Sequence, residues 1–407
     1  MEVLYARCCG LDVHRNMVVA CLSIIEAGQR RKEIRTFGTV TKELLAMKQW
    51  LLSEGCSHVG MESTGVLWRP VYDRLAGYFE LVLVNAAHMR QVPGHKTDVQ
   101  DADWLADLLQ HGLLTPSFVP DQPQQDLRDL TRLRVRLIQD RTQLINRILK
   151  VLQQAGIKLS GVLSDVVGVS GRAILAALCA GEHDPEQLAL LVHKSVAHKH
   201  AQLVEALTGD LRSHHQFLLS ELLSLLAGVE RSIKHVEVEI QQRLAPEEER
   251  LVRMEKITGV SRHTLHLLCA EVGLDLSRFP DAAHLASWAG ICPGHKESAG
   301  KRQSRRTRPA NAYVKTALVQ AAHTTVRTQT YLGEQYRRLR KRRGAKRAAV
   351  AVGHSILVIF YHMMTTGEPY HEKGVEYFHT RAPDKVERQL VKRLTHLGYQ
   401  VTAPLPV

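Results

Sequence analysis

Paired cysteines, an uninterrupted apolar run of membrane length and a leader-like opening are not evident in the sequence, and each absence argues against a class of protein. Its seven cysteines, Cys8, Cys9, Cys21, Cys56, Cys179, Cys269 and Cys292, form no CxxC pair. Zinc ribbons and thioredoxin-like redox sites need such pairs. An odd, scattered set suits a reducing cytosol, so a cytoplasmic protein is expected. The opening MEVLYARCCG has no basic n-region followed by an apolar h-region, which speaks against a signal peptide. The most apolar late stretch, Ala348 to Met364, is interrupted by Gly353, His354 and Ser355. It falls short of the roughly 18 residues a span needs and predicts a buried helix. A second phosphate loop, as an actin-like phosphotransferase would carry, is missing, and so is a helix-turn-helix for reading base sequence.

What is present is basic charge in one place. The 407 residues carry a formal net charge of +13, which favours a polyanionic partner over a merely basic soluble protein. Residues 291–350 hold 16 Lys and Arg against two acids, Glu297 and Glu334, so this segment alone accounts for the excess. Phosphate contact is expected there. A hydrophobic share of 44% is ordinary for a globular chain, and the length predicts two or three domains.

Three strand-like runs, Val3–Val13, Met17–Ile25 and Glu33–Val40, read as a meander. A helix (Lys42–Ser53), a strand (His58–Glu62), a helix (Leu67–Leu75), a strand (Glu80–Val84) and a helix from about Asp98 follow. That order predicts an α/β domain of RNase H-like type over residues 1–115. Pro116, Pro120 and Pro123 predict a linker over 116–125. Residues 126–248 predict a helical coiled-coil region. In its first helix Leu130, Leu133, Leu137, Leu144, Ile148 and Leu152 share one side. Leu219, Leu222, Leu226, Val229, Ile233, Val236 and Ile240 repeat at spacings of three and four in a second helix. That stripe fits an intramolecular helix pair, the two helices pairing with each other included, or a dimerising coiled coil. A mostly helical domain over 249–365 and a tail over 366–407 complete the chain. Gly259-Val260-Ser261 resembles a helix-hairpin-helix turn that would offer backbone N–H groups to phosphate; a plain helix cap by Ser261 is the alternative.

Four carboxylates carry the chemistry. Asp12 ends the first strand and Glu62 a later one, while Asp98 and Asp101 open a helix. Thr97 and Gln100 suit a capping box there. Spacing i, i+3 puts Asp98 and Asp101 on one helical face, in line with Leu105, Leu108 and Leu109, which would dock the helix on the sheet. Asp103 and Asp107 fall opposite and read as solvated. A cluster of acids repels itself unless a cation neutralises it, and hard Mg2+ prefers carboxylate oxygen. Two Mg2+ ions held by Asp12, Glu62, Asp98 and Asp101 would serve phosphoryl transfer, with Mn2+ as a substitute. Asp12 taken alone also fits actin-like and sugar-kinase-like folds.

Residues 289–308 read AGICPGHKESAGKRQSRRTR. Their glycines and charges predict an exposed, mobile loop. Ser298 stands among Lys296, Lys301 and Arg302, a setting that would hold a phosphate beside the hydroxyl. Serine needs activation to act as a nucleophile, so the residues alone leave two roles open, phosphate contact and attack. Arg305, Arg306, Arg308 and the run Arg337–Arg347 extend the basic surface.

Together these residues resemble the DEDD transposases of the one-ten family of insertion sequences, relatives of the pilin-gene invertases. The resemblance runs nearly end to end through Gly10-Leu-Asp12, Met61-Glu62-Ser-Thr-Gly65, Lys96-Thr-Asp98-Val-Gln-Asp101-Ala102, Gly168-Val-Ser-Gly171-Arg, Phe279-Pro280, Cys292-Pro-Gly294 and Glu297-Ser298-Ala-Gly300-Lys301. It departs at Ala310, where the family has glycine before Asn311. The resemblance implies an N-terminal RNase H-like domain of Holliday-junction-resolvase type, a coiled-coil region and a C-terminal transposase domain. It implies Mg2+ on Asp12, Glu62, Asp98 and Asp101, and a phosphoserine link at Ser298. Nucleic-acid contacts are expected at Lys96, Lys296, Lys301, Arg302, Arg305, Arg306 and Arg308. The implied partners are donor and target DNA, an element-encoded bridge RNA, and further copies in a homodimer or homotetramer, with no membrane; the implied place is the bacterial nucleoid. The competing expectations are a hydrolytic nuclease or junction resolvase without a covalent intermediate, and a non-catalytic nucleic-acid-binding assembly protein.

Overall fold

The computed structural model describes all residues except 1, 27, 64, 85–97, 294–295, 299–300, 305–306, 308–309, 381–382 and 402–407; for 98–100, 296–298, 301–304, 379, 383–386, 389 and 393 it describes the backbone alone. The chain divides into two units, Met1–Pro120 and Asp121–Val407.

The first unit is built on a mixed five-stranded sheet in the order β3-β2-β1-β4-β5. Its strands are β1 (Arg7–Val13), β2 (Met17–Glu26), β3 (Gln29–Gly38), β4 (His58–Glu62) and β5 (Glu80–Val84), with helices α1 (Thr41–Ser53), α2 (Trp68–Leu75) and α3 (Asp98–Gln110). β1, β2 and β3 are an antiparallel meander, whereas β4 runs parallel to β1 and β5 parallel to β4. Alternation along β1 serves both faces of the sheet. Cys9, Leu11 and Val13 join the core under α1 and α2, while Cys8 and Gly10 meet α3 on the other side. β2 is buried over Val18–Ile24, as a strand covered on both faces must be.

β3 is longer than its sequence suggests. It pairs with β2 from Gln29 onward, four residues before the expected start at Glu33. As an edge strand it shows solvent Arg31, Lys32 and Arg35, and such charges mask the strand pattern while guarding the edge.

Helix α3 lies close on the sheet because Gly10 has no side chain. A Cβ there would come within 2.3 Å of the Ala102 carbonyl oxygen and 2.5 Å of the Ala106 nitrogen. Leu105, Leu108 and Leu109 are buried as expected. Asp103 and Asp107 depart from expectation. Asp103 accepts from Arg30 (3.0 Å) and Lys32 (2.6 Å), and Asp107 lies 3.2 Å from Arg30. Their side of α3 is tied to β3, whose cations lie distant in sequence. The expected capping residue Thr97 lies outside the described residues.

The second unit begins with α4 (Gln122–Gln154). The helix starts earlier than expected, with Asp121 capping Gln124 N–H. Pro123 is tolerated there because the first turn needs no N–H donor. After α5 (Val169–Ala180), α6 (Pro185–Leu190) and α7 (His200–Leu207) comes α8 (Ser213–Leu244). α4 and α8 pair with each other. Leu219, Leu226, Ile233 and Ile240, one heptad apart, are buried. Ion pairs Asp126–Arg243, Arg134–Glu237 and Arg141–Glu230 fix the pair as antiparallel, since one partner's number rises while the other's falls. Leu133 leaves the expected stripe and is 44% exposed.

The remaining helices are α9 (Glu248–Met254), α10 (Arg262–Val272), α11 (Ala282–Trp288), α12 (Ala312–Thr324), α13 (Tyr331–Arg343), α14 (Ala345–Thr366), α15 (Tyr377–Thr380) and α16 (Pro383–His396). α9 to α14 enclose one core with the near end of α4. α14 has 22 residues, longer than the apolar stretch in the sequence, and is long and apolar enough to cross a membrane by length and composition. Its Ala348, Val352, Ile356, Leu357 and Phe360 are instead buried in this core.

Candidate active site

Asp12 and Glu62 reach the site from neighbouring parallel strands. The β1–β4 register pairs Gly10 with Gly60 and Leu11 with Met61. Asp12 and Glu62 therefore stand one step further along, at the same sheet edge. They share strand parity with Gly10 and Gly60, which both face α3. Both carboxylates are half-buried.

α3 brings its N-terminus to that edge. Its C-terminal Gln110 carbonyl accepts from the N–H of Leu4 and Tyr5, just before β1. The helix thus runs antiparallel to β1, and Asp98 and Asp101 open it where β1 and β4 end. The positive end of its dipole faces the carboxylates there. Asp101 is exposed, and Asp98 is placed by its backbone alone. Among the described residues no three His, Cys, Asp or Glu side chains form a group able to hold a metal ion. The donor set itself, carboxylate oxygen at one sheet edge, fits a hard divalent cation.

One neighbour was missed in the sequence. His14 Nε2 lies 2.9 Å from Asp12 Oδ2. The i, i+2 spacing on an extended strand is the signal that would have found it. The cysteines of this unit are buried. Burial pushes Cys8, Cys21 and Cys56 each up to about 12.

Ser298 belongs to the second unit. It ends β6 (Lys296–Ser298), which pairs antiparallel with β7 (Lys301–Ser304), Ser298 opposite Lys301. A β-hairpin replaces the irregular loop expected here, and strands so close in sequence pair readily. Lys296, Lys301 and Arg302 sit on its strands; Lys96, Arg305, Arg306 and Arg308 lie outside the described residues. A bridge between Pro293 and Thr307 closes the hairpin base.

The basic run divides. Arg337 is engaged, by Glu334 of its own helix at 3.0 Å and by the carbonyls of Val326 and Thr328 just before that helix. Arg340 to Arg343, then Lys346 and Arg347, are exposed on the corner between α13 and α14. The Gly259 turn is used for packing. A Cβ there would lie 2.5 Å from the Ala321 carbonyl oxygen on α12. Ser261 caps α10 by accepting from Thr264 N–H, the simpler of the two roles open for that turn.

Known proteins match in the same two regions. The DEDD transposase family named for IS110 matches residues 9–157, which take in the sheet, α3 and α4. The family described as "Transposase IS116/IS110/IS902 family" matches residues 252–337, which take in the hairpin and most of its supporting core. A transposase for insertion sequence element IS1111A of Coxiella burnetii is 25% identical over 71% of this chain and 72% of its own. A probable family 20 transposase of Pseudomonas aeruginosa is 24% identical over 58% of this chain and 61% of its own. The matches fall on both sets of candidate residues, and the chain belongs to the IS110/IS116 family of transposases.

Proposed function

We propose that this transposase cuts and rejoins DNA through a serine-linked intermediate, guided by an RNA from its own element. The observation that carries the reading is the meeting of β1, β4 and the α3 N-terminus at one sheet edge, with Asp12, Glu62, Asp98 and Asp101 at those ends. The strand order, antiparallel over three strands and parallel over the next two, supports an RNase H-like domain. The four acids would hold Mg2+, or Mn2+ in its place. Bound there, the cation supplies charge stabilisation to phosphoryl transfer.

Ser298 would supply the nucleophile. Its Oγ bonds to phosphorus as the bridging P–O bond to one sugar breaks, the serine proton leaves, and a sugar hydroxyl is released. The reverse step, with a hydroxyl from another strand, rejoins the DNA and frees the serine. Lys296, Lys301 and Arg302 on the hairpin, with Arg305, Arg306 and Arg308, would hold the phosphate and offset its developing charge. The exposed α13–α14 corner would add contacts to backbone phosphate, which carry no sequence information. Sequence choice then falls to base pairing by the guide RNA. The acids and the serine lie in different units, which suits a homodimer or homotetramer working at the bacterial nucleoid.

The test is a covalent protein–DNA adduct on a denaturing gel, formed with Mg2+, DNA and the element's RNA. Wild type should give it, while Ser298→Ala and Asp12→Asn should not. Cleaved ends without an adduct would mean hydrolysis and sink the serine mechanism. Binding without cleavage would leave an assembly protein.

A further inference from the structure

Glu271, the one acid of α10, is fully buried. A buried carboxylate is costly unless every oxygen is engaged. Here Arg132 of α4 donates from Nε to Oε1 at 2.6 Å and from Nη2 to Oε2 at 2.8 Å. Arg128, one turn earlier, donates to the main-chain carbonyls of Ala270 and Glu271. The third donor is Asn311, whose Nδ2 lies 2.7 Å from Glu271 Oε2.

Asn311 is where the hairpin segment re-enters the helical core. Its side-chain oxygen accepts from the N–H of Tyr313 and Val314, capping α12. Its side-chain nitrogen is what reaches Glu271. Aspartate would cap the helix but has nothing to donate, whereas the amide caps with its oxygen and donates from its nitrogen. The Arg132 guanidinium also covers the Tyr313 ring at 4.9 Å. The other side of the hairpin base is held as well, since Ile291 is buried and approaches Gly353 of α14. Between these anchors Pro293 and Thr307 are bridged. The returning leg is thus pinned to α4 through one buried carboxylate.

We propose that Glu271, acting through Asn311, is a positioning residue for the hairpin that carries Ser298. The clamp fixes where the returning leg enters α12, and through the Pro293–Thr307 bridge it sets the height and tilt of β6 and β7. Nothing in it touches DNA. Its contribution is geometric, and catalytic geometry is sensitive to displacements of about 1 Å. The inference rests on the reading of Ser298 as nucleophile.

The test separates the clamp from the cap. Asn311→Asp keeps the capping oxygen but sets a second carboxylate against Glu271. Combined with Glu271→Gln, it restores a donor and an acceptor between positions 271 and 311 in swapped places and keeps the cluster's charge, while giving up the Arg132 Nη2 bond to that atom. The first readout is the single-turnover rate constant of adduct formation at saturating DNA, with DNA affinity measured alongside. The second is amide hydrogen exchange over residues 296–304. Asn311→Asp should slow adduct formation about 100-fold, leave affinity near wild type and speed exchange in the hairpin but not in α12. The double variant should recover part of both, reacting faster and exchanging more slowly than Asn311→Asp alone. An unchanged rate constant with a smaller reacting fraction would mean a purely structural role and overturn the inference, as would unchanged exchange. If Ser298→Ala still forms the adduct, the nucleophile reading falls, and the exchange measurement still decides the clamp.

Discussion

Gly10 and Ala102 are in backbone contact: the place a Cβ would take on Gly10 is 2.3 Å from the Ala102 carbonyl oxygen. That contact sets how deep α3 lies, and α3 carries two of the four candidate acids at its start. Gly10→Ala should lift the helix. The expected cost is about 1–3 kcal/mol of stability, as for overpacking elsewhere, together with loss of adduct formation even where the variant is folded. Thermal unfolding and the adduct gel check the two parts separately.

Asp101 and Asp103 should behave differently although they are two residues apart. Asp103 is tied to Arg30 and Lys32 and is 28% exposed on its side chain. Asp103→Asn should cost at most about 1 kcal/mol, since such pairs are partly screened by solvent, and should leave cleavage nearly intact. Asp101→Asn should abolish cleavage with little change in stability. Equal loss of cleavage in both variants would remove Asp101 from the site.

The corner between α13 and α14 should reveal itself through salt. Arg340, Lys341, Arg342 and Arg343 are exposed. Replacing Arg340 and Arg343 by alanine should weaken binding to DNA of any sequence. The slope of log affinity against log salt should become shallower by about 0.9 for each phosphate that the variant no longer neutralises. The same change at Arg337, which is held by Glu334 and two carbonyls, should affect stability more than the slope.

Acid should unfold the second unit partly through His266. The residue is 4% exposed. Burial first, then His263, Arg262 and Arg134, lowers its pKa from 6.5 to about 4. Between those values the unfolded chain binds a proton that the folded chain refuses. Stability is therefore whole above about pH 6.5 and falls as the pH drops toward 4, by roughly 3 kcal/mol at the limit. His266→Phe should flatten the fall. Denaturant midpoints at pH 7, 5.5 and 4.5 measure it.

Much of the first unit is legible because its pattern is local. The β1 alternation, the unbroken apolar β2 and the four spaced acids are readable at short range. β3 is not, since an edge strand is polar for the same reason that it is an edge. Asp103 reads as solvated because its partners, Arg30 and Lys32, are some seventy residues away. The stripe on α8 is plain, but a heptad face does not say which helix covers it. α4 covers it here, in the same chain.

By itself the sequence determined the family, the order of elements in the first unit and the place of the basic charge, and it offered the acids and the serine as candidates. These follow from residue type and spacing along one segment, which physical chemistry reads without a partner. Tertiary structure decided the rest: that Gly10 admits α3, that Asp103 is an anchor, that Ser298 ends a hairpin strand, and that Glu271 meets Asn311. Each depends on what stands opposite a side chain across tens of residues. A buried carboxylate or a missing Cβ acquires its meaning only from the group that packing sets against it.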